Sequence, residues 1–199
     1  MTRAAILVLA MAATLVAQEK KQEMVVSKPE DGISMQKPND EKWKVQSDGR
    51  MWKESICVNH IIDDLSAEAN AQYLADGTKW PDGGIKEIGK GQISSFREET
   101  KPKEKDKEPN WKEFKVVKED EKAKFPGGPG VGSAQAYYIE AIITYKDDSQ
   151  KELRMWIFFK NNALFKFIVL GNKGEYEKKA KDMAFIMSAF RIFKREKKK

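Results

Sequence analysis

The stretch 134-AQAYYIEAIITYKDDSQKELRMWIFFKNNALFKFIVL-170 decides the fold. Its first segment, Ala134 to Tyr145, is rich in β-branched and aromatic residues, which suit a pleated, half-buried surface. Tyr137, Ile139, Ala141, Ile143 and Tyr145 fall on one side of a strand, and Tyr138, Glu140, Ile142 and Thr144 on the other. The first side is wholly apolar or aromatic and is assigned to the core. Lys146 to Gln150 supplies a polar turn, Leu153 to Phe159 the returning strand, and Asn161-Asn162 a tight hairpin into Leu164 to Leu170. The pattern predicts an antiparallel meander.

Gly171 to Gly174 breaks the last strand. Beyond it Tyr176, Ala180, Met183 and Met187 follow a 3.6-residue period, so one amphipathic helix is expected from near Glu175 to before Ser188. Glu175 and Glu177 occupy its first turn, where the helix dipole favours negative charge. A helix so patterned lies across the meander. The fold class read from this unit is α+β, a central antiparallel sheet of about six strands flanked by helices.

Working outward, residues 1–17 carry one cation, Arg3, an apolar run from Ala4 to Val16, and a small-residue end. These are the parts of a secretory signal peptide. About 13 apolar residues span roughly 20 Å as a helix, short of the roughly 30 Å hydrocarbon core of a bilayer. Export is therefore expected, to the periplasm or the extracellular space and without stable membrane insertion. Residues 18–28 read as a disordered lead-in, 29–193 as a single domain, and 194–199 as a basic tail.

Within the domain the expected strands are Gly32 to Met35, Trp43 to Val45, Met51 to Asn59, Ile85 to Phe96 and Trp111 to Val117. In the third of these Met51 and Cys57 share a face. The glycines at 89 and 91 mark the fourth as twisted or bulged. Ala67 to Ala75 is a short helix capped by Ser66, and Phe125 to Gly132 a backbone-permissive loop.

Charge and composition remove several classes of function. The net charge is +6. Loss of Arg3 leaves +5, of which the tail supplies +4, so the folded body has no basic face for nucleic acid. Cys57 is the only cysteine, which excludes an intramolecular disulfide and points to a buried, inert thiol. The loop Gly127-Gly128-Pro129-Gly130-Val131-Gly132 lacks the Gly-Lys-Ser/Thr ending of a phosphate-binding loop, and proline removes a donor. His60, the only histidine, has Asp63 and Asp64 nearby, but the set matches no metal-ligand spacing. It could still form an acid–base group, and that keeps a hydrolase as the third reading. Asp63 and Asp64 are otherwise solvated residues between a strand and the Ser66 helix. Asp147 and Asp148 are too few for a calcium site. No cofactor and no metal are expected.

The five tryptophans and ten phenylalanines exceed what a minimal core requires. Aromatics on a strand face can line a groove for a ligand or partner. Trp80, Trp111, Phe125 and Tyr138 are the residues expected to do so, for an unknown protein partner or a small apolar ligand, in a monomer.

Two short segments carry a resemblance. Pro29-Glu30-Asp31-Gly32-Ile33-Ser34-Met35-Gln36-Lys37-Pro38, followed by Trp43, is similar to the opening of PsbP-like domains and of their Mog-family relatives. Ser188-Ala189-Phe190-Arg191-Ile192 is similar to their closing segment. The resemblance implies an α-β-α arrangement around an antiparallel sheet, in proteins that mostly act as non-catalytic adaptors or assembly subunits. No photosystem- or GTPase-binding residue matches. The leading expectation is thus an exported binding or assembly module that is not an enzyme, and the second a small-molecule or lipid carrier with an apolar cavity.

Overall fold

The computed structural model describes residues 24–26, 32–64, 84–102, 109–128, 131–160 and 163–193. In chain order its elements are β1 (Met24–Val26), β2 (Ile33–Gln36), β3 (Lys44–Val45), β4 (Met51–Lys53), β5 (Ile56–Asp64), α1 (Gly84–Glu98), β6 (Glu113–Pro126), β7 (Ser133–Thr144), β8 (Gln150–Lys160), β9 (Ala163–Asn172), α2 (Glu175–Lys178), α3 (Ala180–Ala189) and β10 (Arg191–Ile192). The expected meander is β7–β8–β9, with Tyr138 opposite Trp156 and Trp156 opposite Phe167. It forms the middle of a seven-stranded antiparallel sheet of order β3-β4-β5-β9-β8-β7-β6. A second sheet, β1-β2-β10, joins the two ends of the described chain. The fold is α+β with more of its described residues in strands than in helices, and the main sheet has seven strands where about six were expected.

Because side chains alternate along every strand, the main sheet has two different faces. One buries Val58, Phe125, Ala136, Trp156, Phe158, Phe165 and Phe167 against Ile33 and Met35 of β2, Met183, Ile186 and Met187 of α3, and Phe190. The other buries Tyr137, Ile139, Ile143, Leu153, Met155 and Ile157 against Ile85 and Ile93 of α1. Each fully covered aromatic contributes roughly 2–3 kcal/mol of transfer free energy. Gly32 and Trp43, two of the residues that carry the resemblance, are held by the fold. Gly32 sits at φ 66, and its carbonyl accepts the N–H of Phe193 at 2.9 Å. Trp43 is buried and its indole N–H donates to Asp182 of α3 at 2.9 Å.

Four expectations are corrected. Residues 85–96 form helix α1, not a strand. Ile85, Gly89 and Ile93 recur every four residues and are its buried positions. A Cβ on Gly89 would lie 2.2 Å from Cδ1 of Tyr137, so this glycine admits the sheet's tyrosine and does not mark a bulge. Met51 to Asn59 is two strands joined by a turn at Glu54-Ser55, with Glu54 at φ 55. The turn resets the alternation, so Cys57 lies opposite Trp52, and Met51 opposite Val58. The final helix is interrupted at Lys179 (φ −111, ψ 21), which turns Ala180 out to solvent while Met183 and Met187 stay buried. Finally, Phe125 and Pro126 end strand β6 instead of opening a loop.

Candidate functional site

The residues singled out by sequence do not converge. His60 shares a face with Val58, its ring 6.4 Å from that of Phe190. Asp63, three residues along β5, falls on the opposite face and pairs with Lys166 at 3.1 Å. Asp64 is four residues from His60, about 13 Å along a strand. His60 and Asp63 are therefore not brought together. Both aspartates also belong to β5, not to a connection after it. Among the described residues no three His, Cys, Asp or Glu side chains are grouped to hold a metal. Cys57 is buried, and burial pushes its thiol up to about 11, which disfavours the reactive thiolate at neutral pH.

Trp111 is half-buried on the α1 face, with ring centroids 5.7 Å from Phe96 and 5.9 Å from Phe114. Phe125 and Tyr138 lie on the other face, on either side of Trp156, at 6.1 Å and 4.8 Å. Phe125 has no exposed surface; it stacks on Phe158 at 4.7 Å and is core. Trp80, the helix expected after Ser66, the signal peptide expected at residues 1–17, Asn161-Asn162 and residues 194–199 lie outside the described residues. The glycine loop closes on the end of α3. The Gly128 N–H donates to the Phe190 carbonyl at 2.9 Å, and a Cβ there would meet the Ser188 carbonyl oxygen at 2.2 Å. At the β7–β8 turn Asp147 accepts the Ser149 N–H at 3.1 Å and hydroxyl at 2.6 Å, and Asp148 pairs with Lys112. Both carboxylates serve the hairpin.

A site does form where the aromatic face of the sheet runs on into polar residues. Going along β8 from Phe158 and Trp156, the same face next presents Arg154 and then Glu152. Arg154 lies opposite Glu140 of β7, and Glu152 opposite Ile142. Arg154 Nε donates to Glu152 at 2.5 Å. Its Nη2 donates to Glu177 of α2 and stands 3.7 Å from Glu140. The guanidinium lies over the Tyr176 ring, 3.8 Å from the centroid, a cation–π contact. Glu152 also accepts the Gly174 N–H at 3.2 Å. The Tyr138 hydroxyl donates to Glu140 at 2.8 Å.

Burial opposes the charge on Arg154, but Glu152, Tyr138 and Glu140 together outweigh it, and the guanidinium is held above its ordinary value. Tyr138 is pushed well up by burial and then by its bond to Glu140, so it stays a neutral donor. In front of this cluster lies a groove of about 550 Å³. Glu140, Glu152, Arg154 and Ile142 line its floor, Glu177 and Lys173 one wall, and Glu113, Lys115 and Val117 of β6 the other. The register of β6 on β7 slips between Val116 and Lys118, and Val117 is left 55% exposed. Such bulges re-aim side chains at functional edges.

Of the expected residues only Tyr138 touches this site. Arg154, Glu140, Glu152 and Glu177 were missed because β8 reads as apolar on both faces. The signal was nonetheless present in charged residues that interrupt two apolar strands and face each other only once the hairpin register is known.

No family model matches the sequence, and no curated protein matches it. Solved structures do. The cyanobacterial PsbP (CyanoP) of Synechocystis sp. PCC 6803 superposes with a TM-score of 0.50 and 11% identity, covering 86% of this chain and 92% of that one. A Bacteroides thetaiotaomicron structure gives 0.47 and 13% identity over 87% of this chain and 49% of its own. LpqN of Mycobacterium tuberculosis, whose structure is described as involved in cell envelope biogenesis, gives 0.42 and 10% over 92% and 97%. The fold is PsbP-like, and the likeness is one of fold.

Proposed function

We propose that the protein is an exported, non-catalytic binding or assembly module that docks a partner in the groove beside Arg154. The observation that carries this reading is a concave, charged stretch of sheet face with an apolar side chain turned out at its rim. The rest of that face is packed ring on ring, with Phe125, Trp156, Phe158, Phe167 and Phe190 between 4.7 and 6.4 Å apart. Such packing favours docking at the surface over enclosing a carrier's ligand. His60 and Asp63 lie on opposite faces of β5, which gives the hydrolase reading no support. Export rests on residues 1–17. Among the described residues no helix is long and apolar enough to cross a membrane. The family resemblance points the same way, towards adaptors and assembly subunits.

The test is a photo-crosslinking amino acid placed at Val117, with a control at Gly91, where nothing lies within 4 Å of an added Cβ. An adduct in the native compartment is expected from position 117 alone, and it should be lost when Ile142→Asp is added. Equal adducts from both positions, or none at 117, would sink the proposal.

A further inference from the structure

The positive charge of the chain is concentrated in one stretch. Residues 191–199, RIFKREKKK, carry six cations and one anion, which is five of the six net positive charges of the sequence. We infer that this stretch is a peripheral membrane contact, with Arg191 and Phe193 set against an anionic bilayer surface and the cations of 194–199 paired with its headgroups. The contact is separate from the groove and does not rest on it.

The small sheet fixes the base of the stretch. β10 is an edge strand, and its Ile192 is buried opposite Ile33. The pairing continues to Phe193, whose N–H donates to the Gly32 carbonyl at 2.9 Å. Alternation then turns Arg191 and Phe193 outward together, and Phe193 is left 39% exposed. Lys28, Glu30 and Asp31 stand just before Gly32 in the chain, and counting them with residues 191–199 still leaves a net charge of +4.

Charge selects an anionic partner, and the exposed ring selects among anionic partners. A soluble polyanion would pair with the cations and leave Phe193 in water. A bilayer takes both, because acidic headgroups attract each Lys or Arg and the interface admits an aromatic ring. The groove lies elsewhere on the molecule. Phe190, which leads into β10, is bonded to Gly128 just beyond the end of β6. Glu177 of α2, which walls the groove, is at the other end of α3, a helix about 15 Å long.

The full chain, as its host processes it, is sedimented with vesicles of phosphatidylcholine alone and of phosphatidylcholine mixed with phosphatidylglycerol. Binding is expected to the mixed vesicles only, and it should be lost when salt is raised from about 0.1 M to about 1 M. Lys197→Ser, Lys198→Ser and Lys199→Ser together should weaken it about a hundredfold. Phe193→Ser should weaken it several-fold. Ile61→Ser, at a residue equally exposed on β5, should leave it unchanged. No binding to the mixed vesicles, equal binding to both kinds, no effect of the triple change, or equal losses from Phe193→Ser and Ile61→Ser would each overturn the inference. Binding to dextran sulfate as tight as to the mixed vesicles, and unaffected by Phe193→Ser, would overturn it in favour of a soluble polyanion.

Discussion

One face of the main sheet is held in two different ways along its length. At one end Phe125, Phe158, Phe165, Phe167 and Trp156 are covered by α3 and the small sheet, and their ring edges and faces meet at centroid spacings from 4.7 Å upward. At the other end the same strands present Glu140, Glu152 and Arg154, covered by the four residues of α2, none of which is buried. The aromatic end is stabilised by area removed from water, which is non-directional and tolerates small shifts. The ionic end is stabilised only while each charge keeps its partner, because burying an unpaired charge costs more than the pair contributes. A surface that depends on pairing is open to competition from an outside charge, and the aromatic end is not.

That contrast predicts which changes each end tolerates. Phe167→Ala should cost about 3–5 kcal/mol in urea unfolding, because a filled aromatic layer cannot collapse into the space. A loss below about 1 kcal/mol would mean that the layer is looser than its ring spacings imply. Arg154→Ala should cost less, about 2–3 kcal/mol, by leaving Glu140 and Glu152 uncompensated. The sharper test is the double change Glu152→Leu with Arg154→Met, which should recover more than half of that loss. No recovery would show that packing, and not pairing, holds this end.

The smallest effect concerns the base of α2. Lys178 and then Lys179 hold the Glu175 carboxyl at about 2, against an ordinary 4.5. Its folded value is depressed, so its contribution is present above pH 4.5 and is lost as pH falls towards 2. Glu175→Gln should slightly lower stability at neutral pH, leave it unchanged near pH 2, and so flatten the pH dependence in that window. An unaltered acid limb in thermal denaturation would show that the two lysines do not hold α2 down.

Parts of this structure were legible in the chain. The β7–β8–β9 meander could be read because Tyr137, Ile139, Ala141 and Ile143 alternate without interruption, and alternation is a local property of a strand. The buried positions Met183 and Met187 were legible from helical spacing in the same way. Helix α1 was misread because Gly89 and Gly91 lower local helix propensity. The compensation for Gly89 lies in Tyr137, 48 positions away in the chain and visible only once sheet and helix are packed. Cys57 was assigned to the wrong face for a smaller reason, since a two-residue turn at Glu54-Ser55 shifts the phase of everything after it.

By itself the sequence determined the antiparallel meander and the α+β class, both of which follow from periods of two and about four residues. Only the tertiary structure decided that β5 pairs with β9, that His60 and Asp63 face apart, and that Glu140, Arg154 and Glu177 meet. Those outcomes depend on register between segments far apart in the chain, and a shift of one residue turns every side chain to the other face. The candidate site belongs to this second kind, because its charges become neighbours only after the strands have chosen one another.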